Sequence, residues 1–486
     1  MMTSIRSVGF LIFLFTHIIF CDPAQAGIQI NDETVEKIDA LVSSKIPWTG
    51  DTPAYSILID QSGEIVYERH IGFADIANRV PATRDTVYKI GSITKSYTAL
   101  AILQLVEKGQ IDLDAKVSQY LADLEGPGTE ATIAELLTHS SGIPNYTALP
   151  EGQKIMSWVV TSRADIVEIF EDRPLEFEPG THFNYSNSGY YLLGLIIESV
   201  SGQDYFDYLK EQVFEPHGLE ATYAGSYEEI EPHQARGYTV SPEGFANAAP
   251  TPQLTPYSAG TLDASAADLV KYRRAVFNSE VTSEKLRELI TRTGTFPGGE
   301  QQRYALGALV TSDFYGHRKW AHSGGISGFS THHEYFPDDD ITVVVLVNAN
   351  GAPISPEALA YKMAREIFSV EQPDQTEVEV SEKLLESYVG NYRMGLFRLV
   401  GEYAHIVLKE GVLQLQVNED NENPVYLPLL PRSNEEFVFA YDDESRVRFI
   451  SRSGEVTGLE FDTTFIGVAP AYRIPASVDL TAPADQ

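Results

Sequence analysis

Residues 91–110, GSITKSYTALAILQLVEKGQ, place a serine and a lysine three positions apart at the start of a predicted helix. Apolar residues recur there at the spacing of one helical face, and Gly109 marks the predicted end. Because residues three apart share a face, the amine of Lys95 is expected one turn from the hydroxyl of Ser92. A serine hydroxyl is a poor nucleophile until a base takes its proton, and Lys95 can be that base only when neutral.

Strand-like segments lie on both sides of this helix in the sequence. Residues 54–60 and 63–75 alternate around a turn, which predicts a hairpin. Short strand-like runs return from about residue 303, and PDDD at 337–340 predicts the tip of another hairpin. Residues 355–368 then predict a closing helix.

The middle of the chain, about 111–290, has mainly helical periodicity, with loops rich in proline and glycine. Strands at both ends of the region predict one antiparallel sheet flanked by helices, with a helical subdomain between them. This α/β (α+β) arrangement is expected over residues 27–370.

The last hundred residues have a different character. Residues 371–380, EQPDQTEVEV, are acidic and polar and predict a linker. Residues 381–486 contain short segments that alternate at period two. In GVLQLQV, 411–417, the leucines and the last valine are expected to face inward and the glutamines to face water. This pattern predicts a small β-barrel or sandwich.

The first 26 residues have the form of a secretory signal peptide. An arginine precedes the apolar run VGFLIFLFTHIIF, and small residues at Ala24 and Ala26 fit a cleavage site. The run is short for a membrane-spanning helix, and an uncleaved anchor is the alternative. Cys21 raises a lipoprotein alternative, although Phe20 stands where a small residue is expected. We therefore expect an extracytoplasmic protein, periplasmic or secreted, with no stable membrane span after signal removal.

Charge and residue content argue against several kinds of function. The net charge of −34 is spread along the chain, and such a surface repels nucleic acid and anionic membranes. Cys21 is the only cysteine, so cleavage after Ala26 leaves neither disulfides nor thiol catalysis. His332 and His333 are neighbours on a predicted strand and point to opposite faces, so no metal site is expected there. A Ser-His-Asp hydrolase has little support, because no Gly-x-Ser-x-Gly elbow occurs.

Three further stretches follow the serine–lysine pair in a definite order. They are LLTHSSGIP at 136–144, FNYSNSGYY at 183–191 and KWAHSGG at 319–325. The ordered set resembles the penicillin-recognising serine hydrolases, and within them the class C β-lactamase and D-alanyl-D-alanine carboxypeptidase branch. Three more stretches are similar to recurrent sequence motifs of that family, namely FEPGTHFNYSN, AGTLDASAADL and YALGAL. The resemblance covers about residues 40–370 and implies the β-lactamase/transpeptidase-like fold there. Residues 381–486 resemble the lipocalin-like domains of the family.

The resemblance implies an acyl-enzyme on Ser92 and neither metal nor cofactor. Tyr185 would move the proton toward the leaving group and later activate water, while Asn187 would hydrogen-bond the amide of the substrate. The backbone N–H groups of Ser92 and Gly325 would form the oxyanion hole. His322 completes the expected catalytic set. The strand residues Ser323, Gly324 and Gly325 would bind the substrate along their backbone.

One departure from the family pattern bears on the substrate. Many β-lactamases have Lys-Thr-Gly where this chain has His322-Ser323-Gly324. The His-x-Gly form resembles D-alanyl carboxypeptidases, D-aminopeptidases and related peptidases, although some esterases of the superfamily also depart from lysine. Histidine is charged only part of the time at neutral pH, so it holds a substrate carboxylate less firmly than lysine does. No arginine is identified that would complete a carboxylate clamp.

The sequence therefore predicts a serine hydrolase that cleaves amide or peptide bonds of a small molecule or short peptide, with D-residue peptides among the candidates. A carboxylesterase on the same machinery is the second hypothesis, and a β-lactamase is the third. A catalytically silent binding protein is the alternative outside enzymes. Ser92, Lys95, Tyr185 and Asn187 argue against it, because a binder has no chemical need for all four. The oligomeric state and the role of the C-terminal domain stay open.

Overall fold

The computed structural model describes most of the chain between residues 28 and 474. The described ranges are 28–155, 162–226, 230–241, 244–278, 281–371, 378–394, 403–416, 425–440, 442–463 and 467–474. The α-helices in them are Asp32–Lys45, Thr94–Glu107, Ile133–Leu137, Pro150–Ile155, Ala164–Val167, Asn187–Ser201, Tyr205–Leu209, Ala266–Asn278, Glu284–Thr291, Pro356–Phe368 and Glu382–Tyr388.

Strands of the described chain form one large sheet, several small ones and a barrel. The large sheet has seven antiparallel strands, in the spatial order Tyr304–Ala305, Leu309–Phe314, His317–Ile326, Phe329–Phe336, Ile341–Val347, Tyr55–Gln61 and Glu64–Ile71. Both predicted hairpins are present. Tyr55 lies opposite Val347, so segments nearly 300 residues apart pair within the sheet. The prediction of one sheet assembled from both ends of the region is confirmed.

Helices cover both faces of this sheet. On one face, Ile57 and Val345 pack in a cluster with residues of the helices Asp32–Lys45 and Pro356–Phe368. On the other face, Leu58 packs in the cluster that contains the apolar side of the helix Thr94–Glu107. Strands buried on both faces need apolar side chains at nearly every position, which explains runs such as ITVVVLV.

Short strands lie within and beside the middle of the chain, about 111–290, where mainly helices were predicted. Val87–Lys89, Asp263–Ser265 and Thr222–Tyr223 form a small sheet, and Ala349–Asn350, Tyr238–Ser241 and Gly244–Asn247 form another. Phe73–Asp75, at the end of the predicted strand segment 63–75, pairs with Val80–Pro81. Strands of two to four residues show no alternation long enough to detect, and most of them pair with distant segments. The expectation of a mainly helical middle was therefore too simple.

Eight described strands close into a C-terminal barrel. They are Gly390–Met394, Tyr403–Lys409, Val412–Gln416, Tyr426–Pro431, Glu436–Phe439, Asp442–Arg452, Glu455–Thr463 and Gly467–Arg473. Leu413 and Leu415 are buried in it, whereas Gln414 and Gln416 are partly exposed, as the alternation predicts. Val417 lies outside the described residues, and so do residues 372–377 of the expected linker.

The expected signal peptide, residues 1–26, also lies outside the described residues. Among the helices that the structure describes, none has both the length and the apolar character needed to cross a membrane.

Candidate active site

Ser92 lies in a short 3-10 turn, Gly91–Ile93, that leads directly into the helix Thr94–Glu107. The turn packs against the sheet strand His317–Ile326. Gly91 has a left-handed backbone, with φ of 51°, and a Cβ built there would lie 2.8 Å from the Gly325 nitrogen. The backbones around Ser92 and Gly325 therefore touch, and a larger residue at 91 would separate them.

Lys95 lies fully buried one turn along from Ser92, as the three-residue spacing predicts. Its Nζ lies 3.1 Å from Ser92 Oγ, 2.8 Å from Asn187 Oδ1 and 2.7 Å from the carbonyl oxygen of Ala259. Burial lowers the pKa of the Lys95 amine well below its usual range. A neutral amine has two N–H donors and one lone pair. Because the Ala259 carbonyl can only accept, the contacts allow the lone pair to face Ser92.

Asn187 begins the helix Asn187–Ser201 and is held at both ends of its side-chain amide. Its Oδ1 accepts from Lys95, and its Nδ2 donates to the Thr147 hydroxyl at 3.0 Å. Its backbone N–H donates to Asn145 Oδ1 at 3.1 Å. Because the Thr147 hydroxyl donates its own proton to Asn145 Oδ1 at 3.0 Å, it accepts from Asn187 Nδ2, and the oxygen of the Asn187 amide faces Lys95.

Tyr185 lies two residues before this helix and is half-buried beside Ser92 and Lys95. Lys95 Nζ is 4.8 Å from the centre of the Tyr185 ring. Burial raises the pKa of the Tyr185 phenol above its usual range, while a hydrogen bond with Ser92 acts in the opposite direction. The phenol is therefore protonated at neutral pH and lies within reach of the serine oxygen.

His322 is buried on the strand His317–Ile326, close to Tyr185. Its Nδ1 lies 2.6 Å from the carbonyl oxygen of Ser323, and its Nε2 lies 2.8 Å from the Tyr304 hydroxyl. Since a carbonyl only accepts, Nδ1 carries the proton and Nε2 accepts from Tyr304. Burial lowers the pKa of His322 to about 3, and the nearby Lys95 amine acts in the same direction. His322 is therefore neutral throughout the physiological range.

The next residues of this strand form one wall of a cleft beside Ser92. A Cβ at Gly324 would lie 2.0 Å from the carbonyl oxygen of Ile90, whereas a Cβ at Gly325 would meet nothing within 4 Å. Ser323 Oγ lies 2.8 Å from His332 Nδ1 and 3.3 Å from Glu357 Oε2. The cleft has a volume of about 380 Å³. The described residues that line it are Ser92, Tyr185, His322, Ser323, Gly324, Gly325, Ser330, Thr331, Ser355, Pro356 and Glu357.

All eight predicted site residues are thus brought together, although the sequence did not reveal several of their neighbours. Ala259, His139 and Tyr304 contact Lys95, Tyr185 and His322, respectively. Each of the three lies in a sequence motif similar to one of the family, AGTLDASAADL, LLTHSSGIP or YALGAL. The motif alone did not indicate what the residue contacts. No sequence pattern indicated that Glu357 would line the cleft, because its position depends on how the closing helix packs against the sheet.

His332 and His333 do lie on opposite sides of their strand. His332 contacts Ser323, whereas His333 contacts Arg273. Across the described part of the chain, no group of three or more His, Cys, Asp and Glu side chains is arranged to hold a metal ion.

Residues 32–365 match the Beta-lactamase family. The chain belongs to that family. Penicillin-binding protein 4* of Bacillus subtilis (strain 168) is 28% identical over 361 residues, which cover 69% of this chain and 78% of that protein. The putative penicillin-binding protein PbpX of the same strain is 31% identical over 295 residues, which cover 60% of this chain and 69% of that protein.

Solved structures with the same fold include one that matches most of this chain and others that match a shorter part of it. The octameric penicillin-binding protein homologue from Pyrococcus abyssi is 27% identical with a TM-score of 0.62, over 90% of this chain and 99% of that chain. A D-amino acid amidase from Ochrobactrum anthropi SV3, complexed with D-phenylalanine, is 23% identical with a TM-score of 0.57, over 69% of this chain and 97% of that chain. The family resemblance inferred from the ordered motifs is confirmed. The predicted fold, including its C-terminal barrel, is confirmed as well.

Proposed function

We propose that this chain is a serine hydrolase that cleaves amide or peptide bonds through an acyl-enzyme on Ser92. The observation that carries the proposal is the set of contacts around Lys95. Acceptors on Asn187 and Ala259 use the two N–H groups of a neutral amine, which leaves its lone pair for the Ser92 hydroxyl at 3.1 Å. A base aligned with its nucleophile in this way has a role in proton transfer that a buried structural cation lacks.

In the first step, Lys95 Nζ takes the hydroxyl proton while Ser92 Oγ attacks the carbonyl carbon of the substrate. The oxyanion that forms is stabilised by the backbone N–H groups of Ser92 and Gly325. Tyr185 gives its phenolic proton to the leaving nitrogen, the C–N bond breaks, and an ester on Ser92 remains beside a phenolate and a protonated Lys95. A water molecule then gives a proton to the Tyr185 phenolate and attacks this ester, and Lys95 returns its proton to Ser92 Oγ as the acid is released.

Two features favour substrates that lack a free carboxylate next to Ser323. His322 is neutral, and Glu357 is the only acidic residue, with no lysine or arginine, among the described residues that line the cleft. The carboxyl group of Glu357 disfavours a substrate carboxylate placed beside it. Aminoacyl amides, and peptides cleaved at their amino-terminal residue, therefore fit better than peptides cleaved next to a C-terminal carboxylate. A carboxylesterase that uses the same catalytic residues is the second candidate.

We further propose that residues 27–370 form the hydrolase domain, 371–380 a linker and 381–486 the barrel domain. The signal-like residues 1–26 and the penicillin-binding relatives support an extracytoplasmic location. The substrate would be a small molecule or short peptide. One structural relative is octameric, so the oligomeric state is a separate measurement.

The test is covalent labelling followed by turnover. A fluorophosphonate or a labelled penicillin should attach at Ser92, as located by peptide mapping, and Ser92→Ala should not label. A label at another residue of active protein would remove Ser92 as the nucleophile. Turnover of D- and L-aminoacyl amides, peptides, p-nitrophenyl esters and a chromogenic cephalosporin then separates amidase, esterase and β-lactamase.

A further inference from the structure

His139 contacts all three residues of the segment that carries Tyr185. The Asn184 backbone N–H donates to the carbonyl oxygen of His139 at 2.9 Å. The Ser186 backbone N–H donates to His139 Nδ1 at 3.1 Å. Between them, the Tyr185 ring lies 4.2 Å from the imidazole, centre to centre, with 34° between the planes. One residue therefore holds the backbone on both sides of Tyr185 and also one face of its ring.

The backbone conformation of His139 allows its carbonyl and its ring to make these contacts at the same time. Its φ is 56°, in the left-handed region that is uncommon for residues other than glycine and in which asparagine, aspartate and histidine are enriched. The residue follows directly after the short helix Ile133–Leu137 and its C-cap Thr138. The left-handed turn there brings the carbonyl and the ring of His139 to the same segment.

The contacts also fix the protonation of His139. Because Nδ1 accepts a hydrogen bond from the Ser186 N–H, the ring proton lies on Nε2, which has no hydrogen-bond partner within the described structure. Rings of Tyr190 and Tyr304 lie 5.0 and 4.6 Å away, and burial lowers the pKa of His139 well below its usual range. The imidazole is therefore a neutral, enclosed acceptor and takes no part in the proton transfers proposed above.

We propose that His139 is a positioning residue that sets the orientation of Tyr185 toward Ser92. This inference rests on the proposed function, because it matters only if Tyr185 carries a proton. Tyr185 belongs to a loop that ends at the helix Asn187–Ser201, and the hydrogen bond from Ser186 to His139 and the contact between the two tilted rings together fix where its phenol points. Displacement of a reacting group by about 1 Å costs on the order of a hundredfold in rate.

The test compares two substitutions with opposite chemistry. His139→Asn keeps a side-chain acceptor for the Ser186 N–H and tolerates the left-handed backbone, whereas His139→Phe keeps a ring but loses the acceptor. We expect single-turnover acylation to fall about tenfold in His139→Asn and about a hundredfold in His139→Phe. A residue that only filled space would give the reverse order, because phenylalanine fills the site better. If His139→Phe does not fold, His139→Asn together with the double variant below decides the question.

Each substitution is then repeated on a Tyr185→Phe background. If His139 acts through Tyr185, its losses shrink to within about twofold there, because the residue that it positions no longer transfers a proton. Equal losses on both backgrounds, or wild-type acylation in both single variants, would overturn the inference alone. Wild-type acylation in Tyr185→Phe would remove the proton-carrier role and the inference with it. His217→Asn, at another buried histidine with an unpartnered Nε2 in the described structure, should acylate as wild type.

Discussion

The amine nitrogen of Lys95 lies 2.7 Å from the carbonyl oxygen of Ala259, a residue 164 positions further along the chain. Ala259 ends the 3-10 turn Tyr257–Ala259, which packs against both the helix of Lys95 and the helix Asn187–Ser201. The carbonyl accepts one N–H of the amine and the Asn187 oxygen accepts another. The direction from which Lys95 meets Ser92 is therefore decided by these two acceptors as much as by the helix that carries Lys95 and the turn that carries Ser92.

The first prediction concerns the base. Lys95→Arg should reduce acylation about a thousandfold, because a guanidinium stays protonated and cannot accept the serine proton. The measurement is single-turnover acylation of folded protein. Lys271→Arg, the same change at a partly exposed lysine paired with Asp268, should leave the rate unchanged. A rate for Lys95→Arg within a few-fold of wild type would show that Lys95 is only a structural cation.

The pH dependence of acylation follows from the same group. Burial lowers the pKa of Lys95, so the amine is neutral above that lowered pKa and gains a proton as the pH falls through it. Wild-type kcat/KM should therefore decline on the acid side. The small residual activity of Lys95→Arg should lack this decline. An identical acid limb in the two proteins would assign it to another group.

Two adjacent glycines should respond differently to alanine. In Gly324→Ala the new Cβ would lie 2.0 Å from the Ile90 carbonyl oxygen, so the strand and the turn that carries Ser92 must separate. We expect a loss of about 1–3 kcal/mol in the free energy of unfolding, and much slower acylation. Gly325→Ala is the control, because its Cβ would meet nothing within 4 Å, and its stability should match wild type. Equal unfolding midpoints in denaturant would contradict the close approach.

His322 should contribute to acid sensitivity of the fold. Its pKa is lowered to about 3 in the folded protein, below the usual value of an exposed histidine near 6.5. The unfolded chain therefore takes up a proton first, so stability is present above about pH 6.5 and is lost as the pH falls toward 3. In His322→Asn this part of the loss is absent. Unfolding temperatures of the two proteins, measured from pH 7 to pH 4, should converge or cross; parallel curves would contradict the burial of a neutral His322.

The charge of Glu357 should affect which substrates are accepted. In Glu357→Gln, turnover of substrates with a free carboxylate should rise about three- to tenfold relative to their neutral amides, because repulsion is removed. The ratio of kcat/KM for matched acid and amide substrates measures this effect at low salt. Glu382→Gln, an exposed position on the helix Glu382–Tyr388, is the matched control. An unchanged ratio would mean that substrates do not approach Glu357.

Regular elements with long, periodic patterns were predictable from the sequence. The helix Thr94–Glu107 ends just before Gly109, whose φ of 71° suits a helix terminus, and the closing helix begins where Ser355 caps it. The short strand Asp263–Ser265 was not predictable, because three residues carry no periodic signal and its pairing with Val87–Lys89 joins distant segments. Hydrogen bonds between such segments are made only after the chain has folded.

The order of the long helices and strands, the spacing of Ser92 and Lys95, and the residue types that the chemistry needs could all be predicted from the sequence. These depend on local periodicity and on side-chain identity. Three properties could be learned only from the folded chain: Lys95 is fully buried, the pKa of His322 is lowered to about 3, and His139 contacts Tyr185. Burial and the partners of a buried group depend on segments far apart in the chain, and desolvation by those segments sets whether a side chain carries charge.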